Sequence, residues 1–385
     1  MHRVLFLSHV YIDPATRGKL RALAARGLEV TVAVPQRWRE RALGRAVETA
    51  WERQGGVEVF PVPVSRSGDP ALAQFGRRAL GALVRDKRPD LIQVEEEPTS
   101  VAARQAVTVA GRLGIPAVLF SADNLSRRLP LFTRWRRRRL LKRLRGVLAG
   151  SVAAAELVQR EAPNLPVAVV PQLGVPVPTT PEHQPHEGLA IGYVGRLVPE
   201  KGVDTLLQAL ALNRDTPWHL TVVGDGPDRE RLEKLATLHR LAARVRWLGA
   251  LPPASLPRVW TDVDVLVMPS RGAEGWNEPH GNVLAEAMAH EVAVVGAATG
   301  VLPELIGDAG VIVPPGEPKP LADALRGLGD PEVRVPYAKA ARARALRLFS
   351  DDAVAERTME FWTAVLGSRS SVLGNADRQP ITDNR

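Results

Sequence analysis

The chain has 385 residues, of which 45% are hydrophobic and 24% are charged; this composition is ordinary for a globular protein, and the length predicts two domains. It contains no cysteine, which excludes disulfides, thiolate nucleophiles and cysteine-based zinc sites. The formal net charge is +9, yet residues 127–145 alone carry nine Arg and one Lys and no acidic residue, so the basicity is one patch.

The amino-terminal apolar stretch, residues 4–8, predicts a buried first strand. It is too short for the apolar core of a signal peptide, and charged and turn residues follow it at once. The sequence contains no apolar run of the roughly 18 residues that cross a bilayer. We therefore expect a cytoplasmic protein.

Short apolar runs alternate with helical patterns through the first half of the chain. Each run is bounded by Gly, Pro or polar residues, which indicates a strand. The predicted strands are residues 4–8, 30–34, 57–61, 91–95, 117–121, 147–149 and 167–170. Near-continuous apolar strands separated by helices are typical of a parallel sheet covered on both faces.

A second series of strands begins after residues 171–188, a segment rich in Pro and polar residues. Its predicted strands are residues 189–194, 219–223, 245–249, 263–268, 292–296 and 310–313. The doubled rhythm predicts an α/β fold of two doubly wound, Rossmann-like domains, 1–175 and 186–345, facing a cleft between strand carboxyl ends. Residues 350–366 predict a C-terminal helix that crosses back, and residues 367–385 predict a disordered tail.

The segment that carries the chemistry follows the predicted strand 263–268. A helix is predicted to begin near Gly281 and Asn282, where unpaired backbone N–H groups and the helix dipole favour an anion. Glu278 precedes this helix, and Glu286 lies about one turn into it. Because ionised carboxylates only accept hydrogen bonds, two of them at a helix entrance suit a hydroxyl-rich ligand. The alternative is a pair of glutamates on a solvated helix surface.

Glu278 and Glu286 form a Glu-x7-Glu pattern that resembles the donor-site motif of the family 4 glycosyltransferases. Four further segments resemble motifs of that family, in the same order along the chain: residues 192–202, 222–227, 300–304 and 310–316. The resemblance implies a GT-B fold and a retaining, hexosyltransferase-type enzyme. Its donor would be a UDP- or GDP-sugar and its acceptor a saccharide or a lipid-linked saccharide, with no cofactor and no metal.

The resemblance also implies roles for individual residues. Arg196 and Lys201 would hold the donor diphosphate, and charge-assisted bonds to phosphate are strong; surface pairing with acids such as Glu200 is the alternative. Glu286 would bind the ribose hydroxyls, and Glu278 would contact the transferred sugar. The predicted catalytic residues are Glu278, Arg196, Lys201 and Asp123. The predicted donor-binding residues are Gly195, Arg196, Lys201, Gly224, His280, Gly281, Asn282, Val283 and Glu286. His280 is interpreted either as a catalytic base or as a helix-start packing or capping residue.

The first half departs from the family pattern in two places. Relatives carry a His at the end of a strand where residues 119–124 have none. Asp123 or Asn124 takes its place, or Asp123 forms an Asx turn. Gly18 stands alone where relatives often have two adjacent glycines, and it is predicted to lie on the acceptor side. Glu95 begins a run of three glutamates after a strand; it is either an acceptor contact or, as the favoured interpretation, part of a solvated loop.

The basic patch interleaves Trp135 and three leucines with arginines over residues 133–145, which is typical of an amphipathic helix. One hypothesis is that residues 134–145 contact an anionic membrane surface, where each nearby charge contributes about 1 kcal/mol. The protein would then be peripheral on the inner face of the membrane. The alternative is a helix whose apolar side packs on the sheet. Nucleic-acid binding is not expected, because no recognition motif or aromatic stacking platform accompanies the patch.

Two other functions share the predicted fold. A GT-B epimerase or phosphorylase would bind a similar ligand without the same transfer. A non-catalytic protein that binds nucleotide sugar is suggested by the missing His. The family resemblance favours the transferase over both.

Overall fold

The computed structural model describes residues 1–40, 45–125, 129–272 and 281–367. It divides into two compact units, each built around its own parallel sheet. The first unit comprises Met1–Gly174 and the chain from Asp351 onward; the second comprises Val175–Ser350.

The main sheet of the first unit has eight strands in the order β12-β11-β10-β9-β1-β2-β6-β5. All neighbours are parallel except β5, which runs antiparallel to β6. In the register of its centre, Leu5 pairs with Thr31 on one side and Ile92 on the other. The strands of this unit are β1 (Arg3–Leu7), β2 (Glu29–Pro35), β3 (Arg37–Glu40), β4 (Arg45–Glu48), β5 (Glu52–Gln54), β6 (Val57–Val62), β7 (Val64–Ser65), β8 (Gln74–Phe75), β9 (Leu91–Val94), β10 (Ala117–Ser121), β11 (Gly146–Ala149) and β12 (Val167–Val169).

Helices cover this sheet because each places small and branched apolar side chains against it. They are α1 (Gly18–Ala25), α2 (Arg77–Lys87), α3 (Val101–Arg112), α4 (Leu131–Leu141) and α5 (Val152–Glu161). Two begin at a serine: the side chains of Ser100 and Ser151 accept hydrogen bonds from Ala103 N at 3.0 Å and Ala154 N at 3.2 Å. A serine at this position satisfies a backbone donor that the helix itself leaves unpaired.

The second unit has a six-stranded parallel sheet in the order β15-β14-β13-β16-β17-β18. Its strands are β13 (Leu189–Val194), β14 (Trp218–Val223), β15 (Val245–Gly249), β16 (Val265–Met268), β17 (Ala293–Ala297) and β18 (Val311–Val313). Its helices are α6 (Val203–Leu212), α7 (Arg229–Leu238), α8 (Leu256–Trp260), α9 (Asn282–Ala289), α10 (Leu302–Ile306), α11 (Pro318–Leu328) and α12 (Pro331–Leu348). All residues of β13, β16 and β17 are buried, as expected for a sheet covered on both faces.

The last described helix, α13 (Asp351–Gly367), belongs to the first unit. Trp362 is fully buried there, and its indole N–H donates to Gln93 Oε1 at 2.9 Å. Its ring centroid lies 5.8 Å from that of Phe6 on β1. This is the helix predicted at residues 350–366, and it does cross back to the first unit. The predicted tail lies outside the described residues from residue 368 onward.

Every strand predicted from an apolar run is present. The short strands β3, β4, β5, β7 and β8 were not predicted. Within the described ranges, none of the helices combines the length and the apolarity that crossing a bilayer requires.

Candidate active site

Two turns at the carboxyl ends of β13 and β14 lie backbone against backbone. Gly195 N donates to Val223 O at 3.0 Å. Gly224 has φ +135°, and a Cβ there would stand 1.8 Å from Gly195 O. Only glycine fits both the conformation and this approach. The two predicted glycines therefore shape one edge of the sheet together, and they leave backbone close to whatever binds there.

The two predicted phosphate-binding cations follow β13 at this edge. Arg196 is exposed, and its carbonyl oxygen accepts a hydrogen bond from the Tyr193 hydroxyl at 2.9 Å. Lys201 is half-buried at the end of a short 3-10 turn, and its N–H donates to Val198 O at 3.0 Å. The fold thus places both basic residues in the segment that follows the carboxyl end of a central strand, where open α/β sheets bind ligands.

Arg271 is a third cation at this edge, and sequence reasoning missed it. It follows β16, and its N–H donates to Glu200 O at 2.8 Å, which ties it to the turn that carries Lys201. Its guanidinium contacts Asp204 at 2.7 Å and Thr205 Oγ1 at 2.6 Å. The sequence did carry a signal for Arg271, because it is a basic residue three positions after a buried strand. That strand ends at the carboxyl edge of the second unit's sheet, which we call the ligand edge because a ligand is predicted to bind there.

A chain of alternating charges holds Arg271. Asp204 is also 3.2 Å from Arg231, whose guanidinium donates two hydrogen bonds to Asp228 at 2.6 and 2.7 Å. These bonds raise the pKa of Arg231 and lower the pKa of Asp228. The network fixes the start of α6 and the turn after β14, so the loops around the ligand edge are held by ion pairs.

The helix α9 begins at Asn282 with Gly281 as its N-cap. Because glycine brings no side chain, the N–H groups of the first turn depend on water or a ligand for hydrogen bonds. Asn282 is exposed and Val283 is half-buried. Glu286 is half-buried one turn further on, and burial raises its pKa to about 7. The predicted residues Glu278 and His280 lie outside the described residues.

The three consecutive glutamates of the first unit do not form a solvated loop, and the favoured interpretation of that segment was wrong. Glu95 is 1% exposed; its carboxylate accepts from the Lys19 ammonium and from the Tyr11 hydroxyl, each at 2.5 Å. Burial, followed by the charge of Glu95, raises the pKa of Tyr11 well above its ordinary value. Glu97 accepts from Ser121 Oγ at 2.8 Å and Ala122 N at 2.7 Å, and burial raises its pKa.

The middle glutamate orients a histidine that sequence reasoning also missed. Glu96 accepts hydrogen bonds from His9 N at 2.8 Å and His9 Nδ1 at 2.7 Å. The imidazole stacks on Trp38, with ring centroids 4.8 Å apart. A carboxylate on Nδ1 favours the tautomer that leaves Nε2 as an acceptor. With 24% of its side chain exposed, His9 can accept a hydrogen bond from a hydroxyl group at the carboxyl ends of β1 and β9.

The other residues predicted in the first unit have structural contacts. Asp123 accepts from Leu125 N at 3.4 Å in an Asx turn and lies 3.5 Å from Arg137. Asn124, beside it, is half-buried. A Cβ at Gly18 would stand 1.9 Å from a carboxylate oxygen of Asp351. The absence of a side chain at residue 18 therefore lets α1 and α13 approach closely, which is a packing reason for this glycine.

The two units match known protein families. Residues 188–330 match the family described as glycosyl transferases group 1, and residues 12–172 match a glycosyl transferase 4-like domain. A 2-deoxystreptamine N-acetyl-D-glucosaminyltransferase of Streptomyces fradiae is 30% identical over 393 residues, covering 91% of this chain and 90% of that protein. The chain belongs to the group 1 glycosyltransferases.

Other relatives align with this glycosyltransferase over shorter stretches. A 2-deoxystreptamine glucosyltransferase of Streptomyces kanamyceticus is 34% identical over 247 residues, 58% of this chain. That alignment spans 61% of the relative's own length, and the one with a D-inositol 3-phosphate glycosyltransferase of Corynebacterium jeikeium spans 43%. The family predicted from the motifs is confirmed.

Solved structures show the fold of this glycosyltransferase. Sucrose-phosphate synthase of Thermosynechococcus elongatus superposes with a TM-score of 0.71 at 19% identity, covering 95% of this chain and all of the other. HepE of Anabaena, solved in complex with UDP, superposes with a TM-score of 0.68 at 20% identity, covering 94% and 100%. The predicted GT-B fold is confirmed.

Proposed function

We propose that this glycosyltransferase is a retaining hexosyltransferase that moves a sugar from a UDP- or GDP-sugar to a saccharide or lipid-linked acceptor. The observation that carries the proposal is the ligand edge of the second unit. There the Gly195 and Gly224 turns, Arg196, Lys201 and the start of α9 follow the carboxyl ends of parallel strands. The UDP bound to HepE supports a nucleotide diphosphate donor. The relatives named for 2-deoxystreptamine support a small-molecule acceptor of the saccharide type.

The proposed chemistry is stabilisation of the departing diphosphate. As the bond between the anomeric carbon and the diphosphate oxygen breaks, negative charge grows on the leaving group. Arg196, Lys201 and the positive end of the α9 dipole would stabilise that charge. Glu286 would accept hydrogen bonds from the ribose, Glu278 stays a proposed contact of the transferred sugar, and His280 stays a proposed donor-binding residue. The new bond to the acceptor oxygen would form on the same face of the sugar, and the proton of the acceptor hydroxyl would pass to the departing diphosphate.

A thermal-shift panel with UDP, GDP, ADP and CMP tests the donor site. One diphosphate at about 100 times its Kd should stabilise the fold by about 2.7 kcal/mol, and Glu286→Ala should abolish most of that shift. Because Glu286 ionises as pH rises through about 7, and the ionised carboxylate is the stronger acceptor, the Kd should fall over the same pH range.

Glu332→Ala is the matched control, since Glu332 is an exposed carboxylate of the second unit; its shift should equal that of the wild type. If no nucleotide shifts the melting temperature, or if both variants respond alike, the donor-site assignment fails.

We further propose that α4 contacts an anionic membrane surface. Its inner residues Leu140 and Leu141 are buried against the sheet, so the packing alternative holds for half of the helix. The other apolar side chains point outward: Leu131 is 84% exposed, Phe132 64% and Trp135 54%. Exposed aromatic and leucine side chains among arginines suit the headgroup region of a bilayer.

Vesicle flotation tests this surface. The wild type should float with phosphatidylcholine vesicles that contain phosphatidylglycerol and not with phosphatidylcholine alone. The triple variant Leu131→Ser, Phe132→Ser, Trp135→Ser should lose most of that binding. Leu238→Ser removes an equally exposed leucine from the second unit, 76% exposed, and should float like the wild type. Equal flotation with both kinds of vesicle would contradict the proposal.

A further inference from the structure

A groove between α3 and α4 is lined by four arginines. Arg104 comes from α3; Arg136 and Arg139 come from α4, and Arg143 follows it. The groove encloses about 190 Å³, and its remaining lining residues are Val107, Thr108, Trp135 and Leu140. It lies between two helices of the first unit, and its lining includes neither His9 nor any of the three glutamates. Four arginines therefore line one small space, and none of the residues assigned to the proposed sugar transfer lines it.

No carboxylate balances these charges within the described part of the chain. The lining contains no acidic residue, and none of the four arginines forms an ion pair there. Burial and the charge of Arg136 together lower the pKa of Arg104. Arg137, one position along the same helix but buried, has both Asp123 at 3.5 Å and Glu161 at 3.0 Å. The buried Arg137 is therefore paired with carboxylates, whereas the arginines of the groove are not, and the groove keeps a positive charge.

Neutral groups contact three of the four groove arginines. Arg104 donates to Thr99 O at 2.9 Å. The guanidinium of Arg136 lies 5.2 Å from the centroid of the Phe132 ring, and that of Arg139 lies 5.4 Å from the Trp135 ring. Carbonyl and π contacts orient a guanidinium without neutralising it. These three arginines are therefore positioned in advance, with their positive charge still available to an anion.

We propose that this groove is a binding site for a phosphate group, carried either by a lipid headgroup or by a soluble phosphorylated compound. Guanidinium forks match phosphate oxygens in geometry and charge, and such charge-assisted pairs are the strong hydrogen bonds of proteins. The apolar lining from Val107, Trp135 and Leu140 leaves room for an organic group attached to the phosphate. The inference does not rest on the proposed sugar transfer, because the lining residues lie on α3, on α4 and at Arg143, two positions beyond α4.

Calorimetric titration of the full chain with inorganic phosphate and with glycerol 3-phosphate tests the site. Arg143→Gln removes an exposed groove arginine, and Arg104→Gln removes the half-buried one; each should raise the Kd about tenfold or more. Arg138→Gln is the matched control, because Arg138 is exposed on the same helix and does not line the groove; it should bind like the wild type. Circular dichroism checks that Arg104→Gln is folded. If that variant does not fold, Arg143→Gln still tests the site, because Arg143 is exposed.

Two further arms separate this groove from the donor site and identify the phosphate's source. In Lys201→Ala, which weakens the proposed donor site, Arg143→Gln should still reduce phosphate binding by the same factor. Flotation with vesicles containing phosphatidic acid should fall in Arg143→Gln if a lipid headgroup is the ligand; unchanged flotation with lost phosphate binding supports a soluble ligand. Equal binding by wild type and Arg143→Gln, or an equal loss in Arg138→Gln, would overturn the proposal.

Discussion

Replacing Arg196 and Lys201 together with alanine should lower kcat by at least about 10²- to 10³-fold, because that is the typical effect of removing even one well-placed donor to a developing oxyanion. Both follow β13 at the ligand edge of the second unit. They are the two cations that the sequence predicts to hold the diphosphate. Arg271, which also lies at that edge, is already paired with Asp204 at 2.7 Å and would compensate poorly. Steady-state rates with the donor identified by the nucleotide panel measure the effect.

The matched control is the double variant Arg214→Ala, Lys319→Ala, which removes the same two charges from exposed positions of the same unit. Its kcat should equal that of the wild type within experimental error, because neither residue belongs to the proposed donor site. That result would show that a loss of overall positive charge does not explain the effect of the Arg196 and Lys201 substitutions. A similar loss of rate in both double variants would place the diphosphate elsewhere.

Replacing Lys19 with methionine should lower the free energy of unfolding by about 3–5 kcal/mol, the range seen when one partner of a buried ion pair is removed. The side chains of Lys19 and Glu95 are 1% and 0% exposed. The substitution keeps most of the volume and leaves the Glu95 carboxylate with the Tyr11 hydroxyl but without its counter-ion. Urea unfolding followed by circular dichroism measures the loss.

Two variants make that result specific. Lys19→Met combined with Glu95→Gln removes both charges and keeps an acceptor for Tyr11, so it should recover much of the stability. Lys234→Met breaks an exposed helix pair with Glu230, of which the side chains are 75% and 81% exposed, and should change stability little. If Lys19→Met costs no more than Lys234→Met, the buried pair does not stabilise the fold.

Most of the fold was predictable because its main strands are apolar on both faces. Runs such as residues 117–121 and 265–268 are buried throughout, so the sequence shows them as continuous apolar segments. The hairpin of β3 and β4 escaped prediction for the opposite reason: its strands, Arg37–Glu40 and Arg45–Glu48, are rich in charge. A strand with that composition looks like a polar loop until its partner is known.

The proposed donor site could be drawn from the sequence as far as its residues lie in short local motifs. The Gly195 and Gly224 turns follow their strands directly, and the resemblance of these segments to family motifs located them. Contacts between distant segments gave no such signal. His9 and Glu96 are separated by 87 positions, and Lys19 and Glu95 by 76, and the three glutamates looked solvated because each partner comes from elsewhere in the chain.

The return of α13 to the first unit sets the order in which the protein is completed during synthesis. Residues 175–350 emerge from the ribosome as a whole compact unit before residues 351–367 appear. Until then the first unit lacks Trp362, and the apolar surface it covers beside Phe6 stays open to water. The unit that begins the chain therefore finishes last, reversing the usual amino-to-carboxyl order of domain folding. Until α13 packs, this exposed apolar surface is the one that a nascent-chain chaperone would bind.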